Sequence, residues 1–227
     1  MVELIVALDA ARVRANLQRI RERLDAAQLR SPAGRSGNGR PVEVLAAIKY
    51  LAAEALPTLA QAGVTLVGEN RAQELELKHR AHGDLFEWDF IGALQSRRVR
   101  TIVPYVRLIH SLASDSALRE LERHRALARP GLRVLVEVNV AGEEGKAGIA
   151  PGELDGFIAR CPLPVAGLMT MPPRSEDPER SRPSFAALRE LAQERGLEHL
   201  SMGTSQDYVV AAEEGATIVR IGTSLYD

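Results

Sequence analysis

The apolar positions of this chain follow two different periods, one before and one after a segment rich in Gly, Ser and Pro. In the stretch Asp9–Leu29 the apolar residues recur at helical spacing, at Val13, Leu17, Ile20 and Leu24. This spacing predicts an amphipathic helix near the N-terminus. The segment Ser31–Arg40 that follows has the composition of a mobile loop, and we assign no function to it.

After this loop, short apolar or β-branched runs alternate with longer segments of helical periodicity. Eight runs are predicted as strands: Glu43–Lys49, Thr65–Gly68, Glu87–Gly92, Leu108–Ser111, Arg133–Val140, Val165–Met171, His199–Met202 and Thr217–Ile221. Helices are predicted between them: Ala52–Gln61, Arg71–His79, Ser96–Val103, Ser116–Ala128, Pro151–Ala159, Pro183–Arg195 and Gln206–Glu214. Alternation of strand and helix implies a parallel sheet.

Eight strand–helix units allow either a closed barrel or an open doubly wound sheet. An open sheet that binds a dinucleotide carries a glycine fingerprint directly after its first strand, and none follows Lys49. We therefore predict an α/β fold, a single (β/α)8 barrel of the TIM type with an extra N-terminal helix. Residues 1–227 are expected to form one domain.

Composition restricts the location and the partners of the protein. The formal net charge of −1 favours neither nucleic acid nor an anionic membrane surface. The one cysteine, Cys161, excludes a disulfide within the chain and fits a reducing compartment. The apolar run Leu4–Leu8 is too short to span a bilayer. We expect a cytoplasmic protein with no nucleic-acid and no membrane partner.

Lysine is scarce in this chain. Lysine and arginine together number 29, but only Lys49, Lys78 and Lys146 are lysines. Arginine stays protonated, so Schiff-base chemistry would have to use one of these three amines. Lys49 ends an apolar strand, where burial disfavours the ammonium form and frees a nucleophile. The alternative is an amine that simply extends into solvent. Lys78, on a polar helix face, and Lys146, in a glycine-rich loop, are predicted to be solvated.

Two loops near the C-terminus have the chemistry of a phosphate site. The segments LSMGTSQD, from Leu200, and VRIGTSLYD, from Val219, both run from a strand into glycine and hydroxyl residues. In barrels a phosphate commonly binds between the loops after strands seven and eight, held by backbone N–H groups. The residues that fit this role are Ser201, Gly203, Thr204, Ser205, Gly222, Thr223 and Ser224.

Other polar residues are placed at or near strand ends. Arg220 lies within the apolar run TIVRI, where a buried guanidinium must find a partner. That partner is a phosphate, the ring nitrogen of a pyridine, or a carboxylate in the barrel wall. Asn70 follows the second strand and is placed to line the barrel mouth. His79 and His82 lack a convincing third ligand, so no metal site is expected.

Together these segments resemble the pyridoxal phosphate homeostasis protein family, whose members look like the N-terminal barrel domain of alanine racemase standing alone. The matching motifs occur in the same order: AAIK (Ala46–Lys49), GENRAQE (Gly68–Glu74), WDFIGALQS (Trp88–Ser96), VEVNVAGEEGKAGI (Val136–Ile149), GLMTMPP (Gly167–Pro173), LSMGTSQD (Leu200–Asp207) and VRIGTSLY (Val219–Tyr226). The chain departs from the usual pattern at Ile48, Tyr50, Ala93 and Gln206. These departures concern the tuning of affinity and release, and they leave the lysine and the phosphate loops in place.

The resemblance implies that Lys49 carries pyridoxal 5′-phosphate as a Schiff base. It implies a phosphate site formed by small residues: Ser201, Gly203, Gly222 and Thr223. Arg220 would lie at the ring nitrogen or at the phosphate, and Asn70 and Met202 near the ring or its substituents.

The function that the resemblance implies is that of a carrier or regulator in vitamin B6 and amino-acid homeostasis, without robust catalytic turnover. A racemase of this barrel type takes its second acid/base residue from a C-terminal domain, and the chain ends at Asp227, so only weak side activity is expected. An arginine at the ring nitrogen would also weaken the cofactor as an electron sink. We expect a monomer that passes cofactor to apo pyridoxal-phosphate enzymes.

Two alternatives of another class stay open. One is a pyridoxal-phosphate-dependent amino-acid racemase or lyase, which steady turnover of the purified protein would reveal. The other is a class I aldolase-type barrel that uses Lys49 on a sugar phosphate, which predicts no bound chromophore.

Overall fold

Eight parallel strands close into a barrel in the computed structural model, which describes residues 4–31 and 40–227. The strands pair in chain order, and β1 pairs with β8 to close the sheet, with Leu45 beside Arg220. Their bounds are β1 Glu43–Ala47, β2 Leu66–Glu69, β3 Glu87–Phe90, β4 Leu108–Leu112, β5 Arg133–Glu137, β6 Val165–Met169, β7 His199–Thr204 and β8 Ile218–Ile221. The predicted (β/α)8 barrel is confirmed.

Helices surround the barrel and follow the strands in the predicted alternation. Their bounds are α1 Ala10–Gln28, α2 Leu56–Gln61, α3 Ala72–His82, α4 Val99–Ile102, α5 Asp115–Arg123, α6 Leu154–Ala159, α7 Arg182–Glu194, α8 Tyr208–Glu213 and α9 Thr223–Tyr226. Short 3-10 turns precede several of them, such as Pro151–Glu153 before α6, where proline suits a first turn because its missing N–H is not needed there. Within the described ranges, each helix is too short or too polar to cross a bilayer.

The extra N-terminal helix predicted from its apolar spacing is α1. Asp9 begins it, because its carboxylate accepts the backbone N–H of Ala11 at 2.9 Å. The buried face carries the predicted residues, Val13, Leu17, Ile20 and Leu24, and packs on α8 and α9. Asn16 in this face donates its amide to the carbonyl oxygens of Leu225 and Asp227, at 3.2 and 2.9 Å. The helix is thereby tied to the last element described.

The strands divide their side chains between two cores, because successive residues of a strand point to opposite faces of the sheet. A small apolar cluster fills the barrel itself: Leu45, Leu66, Leu108, Leu135, Met169 and Ile218. A larger apolar layer lies between the sheet and the helices. Four polar side chains, Asp89, His110, Ser201 and Arg220, are also buried and bond to one another inside the barrel.

Several predicted strands extend beyond the observed ladders. β1 ends at Ala47 rather than Lys49, because the chain turns away from the sheet at Lys49 and Tyr50, although the N–H of Ile48 still donates to the carbonyl oxygen of Gly68 in β2 at 3.0 Å. β5 ends at Glu137, since Val138 pairs with Ile149 of the following loop. The predicted loop Ser31–Arg40 falls largely on residues 32–39, which lie outside the described residues.

Candidate functional site

A cleft of about 480 Å³ opens at the carboxyl ends of the strands. Five of the eight predicted site residues line it: Lys49, Asn70, Arg220, Gly222 and Thr223. They come from β1, β2 and β8 or from the residues directly after these strands. The volume suits a small ligand, and the carboxyl end of such a barrel is where its active sites occur. We call this the mouth cleft.

Lys49 reaches the mouth cleft from the turn after β1. Its side chain is half-buried, and its Nζ atom lies 4.8 Å from the centre of the Tyr50 ring. In residues 4–31 and 40–227 Lys49 makes no hydrogen bond and no ion pair. Its amine is thus available to a ligand, within the described chain, in a way that the other two lysines are not.

Side chains hold the two carbonyl groups that precede Lys49. The hydroxyl of Tyr226 donates to the carbonyl oxygen of Ala47 at 3.2 Å. The amine of Lys78 donates to the carbonyl oxygen of Ile48 at 3.0 Å. The backbone that carries Lys49 is therefore fixed from α9 on one side and from α3 on the other.

The prediction that Lys78 is solvated is wrong. Its side chain is 1% exposed, and its Nζ atom lies 2.7 Å from the Glu69 carboxylate, which is fully buried. Glu69 also accepts the backbone N–H of Asn70 at 2.7 Å. The physical reason is that α3 packs its Lys78 side against the end of β2, where Glu69 supplies the charge that a buried ammonium needs.

Tyr226→Phe is expected to lower the free energy of unfolding by about 1 kcal/mol, because one intramolecular hydrogen bond is lost. Burial raises the pKa of Tyr226, and the Glu69 carboxylate raises it further, so the hydroxyl keeps its proton and donates to Ala47. Urea unfolding measures the change. Tyr208→Phe is the control, because that hydroxyl makes no hydrogen bond within the described chain. Equal losses in both variants would show that the Ala47 contact contributes nothing.

Arg220 is held inside the barrel by oxygen atoms of the backbone and of one serine. Its Nη1 atom donates to the carbonyl and the hydroxyl oxygens of Ser201, at 2.9 and 2.6 Å, and its Nη2 atom donates to the carbonyl oxygen of Thr170 at 3.1 Å. Burial lowers the pKa of Arg220 to about 10, although the charges of Asp207 and Glu137 act in the opposite direction. The guanidinium remains a cation at neutral pH.

The predicted alternative of a carboxylate partner for Arg220 has no support in the described residues, none of which forms an ion pair with it. A guanidinium has five N–H donors, and the contacts to Ser201 and Thr170 use three of them. The Nε–H and one Nη2–H remain for a ligand in the mouth cleft, which Arg220 lines.

The loops after β7 and β8 are joined by Ser205. Its hydroxyl oxygen accepts the backbone N–H groups of Gly222 and Ser224, at 3.2 and 3.4 Å. Two backbone donors thus converge on one oxygen atom beside the mouth cleft, which Ser205 also lines. Asp207 braces the preceding turn by accepting the N–H and the hydroxyl of Thr204, at 2.7 and 3.0 Å.

Gly203 lines the adjoining cleft with Thr204, Asp207 and Arg220. Its φ angle is +91°, and a Cβ atom on it would lie 2.6 Å from the Cβ of Ala211 in α8. Glycine is therefore required here both by the backbone conformation and by the close approach of the helix.

The two remaining predicted residues lie below the mouth. Ser201 is fully buried, and its hydroxyl points into the barrel toward Arg220 and His110. Met202 is also fully buried, and it packs in the outer layer between sheet and helices. Their contact with a ligand stays a prediction, and this placement favours an indirect role for both side chains.

Asn70 brings to the mouth cleft a side-chain oxygen that is unpaired in the described chain. Its Oδ1 atom is buried and finds no hydrogen-bond partner among the described residues. Buried polar atoms are normally bonded, so an orphaned acceptor next to a cleft marks a place for a donor on a ligand or on water. The neighbouring Gly92 allows this crowding, since a Cβ there would lie 2.1 Å from the Asn70 carbonyl oxygen.

Lys146, which the sequence predicts to be solvated, is half-buried and does not line the mouth cleft. It lines a separate cavity of about 10 Å³, which is too small for a ligand, and it pairs with Glu143. Glu137 lines the same cavity, and burial raises the pKa of its carboxyl against the charges of Arg220 and Lys146.

Four functional contacts were not predicted from the sequence: those of His110, Asp89, Glu69 and Tyr226. A histidine and an aspartate inside the apolar runs LIHSL and WDFIG are the available signals, because a buried charge in a strand needs a partner. The partners themselves are distant in sequence and only the fold brings them together.

The fold and the cleft place this chain among barrels of the alanine racemase type. The family model described as the N-terminal domain of alanine racemase matches residues 8–227. An Aquifex aeolicus protein named pyridoxal phosphate homeostasis protein is 43% identical over 221 residues, which cover 92% of this chain and 95% of that protein. An Escherichia coli protein of the same name is 33% identical over 226 residues, covering 93% and 94%. The chain belongs to the pyridoxal phosphate homeostasis protein family, and the predicted resemblance is confirmed.

Solved structures agree with the fold. A Bifidobacterium adolescentis protein described only as unknown matches with a TM-score of 0.84 at 27% identity, covering all of both chains. PipY of Synechococcus elongatus, solved with pyridoxal phosphate bound, matches with a TM-score of 0.76 at 28% identity over 95% of this chain and 100% of that one. Alanine racemase of Corynebacterium glutamicum matches with a TM-score of 0.68 at 18% identity over 63% of its length, which shows a shared fold alone.

Proposed function

We propose that this protein binds pyridoxal 5′-phosphate at the mouth cleft through Lys49 and acts in vitamin B6 and amino-acid homeostasis without robust catalytic turnover. The observation that carries the proposal is the position of Lys49, an unpaired amine within the described chain that opens on the same cleft as Arg220 and Asn70. The bound cofactor of PipY and the name of the family support it.

The residues of the mouth cleft fit this cofactor. Pyridoxal phosphate supplies an aldehyde that a lysine amine captures as a Schiff base, together with an anionic phosphate and a pyridine nitrogen. Lys49 provides the amine. Thr223 and Ser205 would provide hydroxyl groups for the phosphate, and Gly222 would let the backbone approach it closely. The orphaned Oδ1 atom of Asn70 would provide an acceptor for a ring substituent.

Arg220 has two remaining N–H donors with which it would contact the cofactor. Both the pyridine nitrogen and the phosphate are acceptors that fit these donors. A guanidinium cannot give a proton to the ring nitrogen at neutral pH, so an arginine there keeps the ring a weak electron sink. Such a site retains the aldehyde without promoting bond cleavage in an amino acid, which suits a carrier.

The absorption spectrum of the purified protein with added pyridoxal 5′-phosphate, before and after borohydride, tests this proposal. We expect an imine band that borohydride removes, with the reduced adduct mapped by mass spectrometry to Lys49 alone. Lys49→Ala should abolish the band. Lys146→Ala is the matched control, because that lysine is paired with Glu143 outside the mouth cleft, and it should bind as the wild type does.

An adduct spread over several lysines, or none, would contradict the cofactor site. A missing band together with borohydride trapping of a sugar phosphate would support the aldolase-type alternative instead. Steady racemisation or decarboxylation of an amino acid by the loaded protein would show that it is an enzyme and not a carrier.

We further propose that apo pyridoxal-phosphate enzymes are acceptors of the cofactor and that residues 1–227 act as one monomeric domain. The loaded protein should then activate an apo enzyme faster than free cofactor does at the same concentration. Light scattering should give the mass of one chain, and urea unfolding should show one transition by all probes. A dimer mass, or transfer no faster than from free cofactor, would contradict these two points.

A further inference from the structure

A chain of buried hydrogen bonds runs from the mouth cleft into the barrel. It begins at Arg220, passes through the hydroxyl of Ser201, and continues to His110 on β4, whose Nδ1 atom lies 2.8 Å from that hydroxyl. The Nε2 atom of His110 lies 3.1 Å from the carboxylate of Asp89 on β3. Arg107 closes the chain by donating to Asp89 from Nε and Nη2, at 2.9 and 3.2 Å.

The direction of every bond in this chain follows from its two ends. The Asp89 carboxylate can only accept, so His110 donates to it from Nε2–H. Burial lowers the pKa of His110, and the charges of Arg220 and Arg107 lower it further although Asp89 raises it, so the ring is neutral. A neutral ring that carries its proton on Nε2 has a lone pair on Nδ1, which accepts the Ser201 hydroxyl proton.

The oxygen of Ser201 then has its lone pairs free for Arg220. Because its own proton is committed to His110, the hydroxyl presents only acceptor character to the guanidinium, whose Nη1 atom donates to it at 2.6 Å. With the carbonyls of Ser201 and Thr170, this bond fixes the plane of the guanidinium. The two remaining N–H donors are thereby held in one orientation on a side chain that lines the mouth cleft.

We propose that His110 is a positioning residue that acts through Ser201 to orient Arg220 toward an acceptor atom of the ligand. This inference rests on the proposed function for the identity of the ligand, pyridoxal phosphate. It assigns a role to a fully buried histidine that does not line the mouth cleft.

Two substitutions of His110 test separately its hydrogen bond to Ser201 and its hydrogen bond to Asp89. His110→Asn places an acceptor near the position of Nδ1 and keeps the bond to Ser201. His110→Gln places a donor near the position of Nε2 and keeps the bond to Asp89, but it removes the acceptor for Ser201. Ser201→Ala removes the hydroxyl that links His110 to Arg220. Thr217→Val is the control, because among the described residues its hydroxyl bonds only to backbone atoms of Leu200.

Affinity for pyridoxal 5′-phosphate is measured by absorption titration of the apo protein, alongside the unfolding temperature of the apo form. We expect His110→Gln and Ser201→Ala to bind about tenfold more weakly, the scale of one hydrogen bond to a charged group, with His110→Asn and Thr217→Val near the wild type. The borohydride adduct should remain on Lys49 in all of them. Two-bond 15N–1H spectra of the apo protein should show His110 with its proton on Nε2.

The outcomes separate this inference from the proposed function. The positioning role would be overturned, with the cofactor site left intact, if His110→Gln and Ser201→Ala bound the cofactor as tightly as the wild type. It would also be overturned if, in all four variants, the loss of affinity followed the fall in unfolding temperature. A His110 proton on Nδ1 would overturn the direction of the bonds. A wild-type protein that binds no cofactor would overturn the proposed function itself. If His110→Gln does not fold, Ser201→Ala against Thr217→Val decides.

Discussion

Lys78→Met is expected to lower the free energy of unfolding by about 3–5 kcal/mol, because it leaves a buried charge without its partner. The methionine side chain fills a similar volume, so the loss of packing is small. Glu69 would keep one donor, the backbone N–H of Asn70, for a carboxylate that is fully buried. The carbonyl oxygen of Ile48 would lose a donor too, which loosens the backbone next to Lys49.

Urea unfolding measures this loss of stability. Two further variants show whether it comes from the unpaired buried charge. Lys146→Met removes a half-buried lysine whose acidic partner Glu143 lies in the same loop, and it should change the free energy of unfolding by less than about 1 kcal/mol. In the double variant Glu69→Leu, Lys78→Met both charges are gone, and most of the stability should return because no buried charge is left unpaired. If Lys78→Met and Lys146→Met unfold at the same urea concentration, the buried pair is not a stabilising feature of the folded chain.

The overall fold was predictable because it depends on signals that are local in sequence. Alternating apolar runs and helical segments define strand–helix units, and eight such units close into the barrel that is observed. The position of Lys49 at the barrel mouth was predictable for the same reason, since a lysine at the end of an apolar run is a local anomaly. The position of Gly222 and Thr223 at the same cleft was predictable from a loop whose glycine and hydroxyl residues lie next to one another in the chain.

The parts of the site that were missed depend on pairs that are distant in sequence. The sequence predicts a solvated Lys78 because its neighbours along α3 are polar, whereas its partner Glu69 is on β2. His110 and Ser201 are 91 residues apart and meet only because the barrel turns both side chains inward. Periodicity can say that a polar residue is buried, but it cannot say which other buried residue compensates it.

Gly203→Ala should reduce both stability and affinity for pyridoxal 5′-phosphate, because the added methyl group has no room. At a φ of +91° any side chain is strained, and here the new Cβ would meet the Cβ of Ala211 at 2.6 Å and the Cα of Tyr208 at 3.0 Å. Neither of those atoms can rotate away, so β7 and α8 must separate. The turn that carries Thr204 and Asp207 lies between them and would move as well.

Gly63 is the matched control, since its φ of +93° imposes the same backbone strain while a Cβ atom there meets nothing within 4 Å. Gly63→Ala should therefore cost about 1–2 kcal/mol, the value of the left-handed conformation alone. Gly203→Ala should cost about 1–3 kcal/mol more, because the overlap with α8 is added. Only Gly203→Ala should weaken cofactor binding, as Gly63 lies in the turn between α2 and β2, away from the mouth cleft. Equal losses of stability in the two variants would mean that backbone strain, and not the approach of α8, requires the glycine.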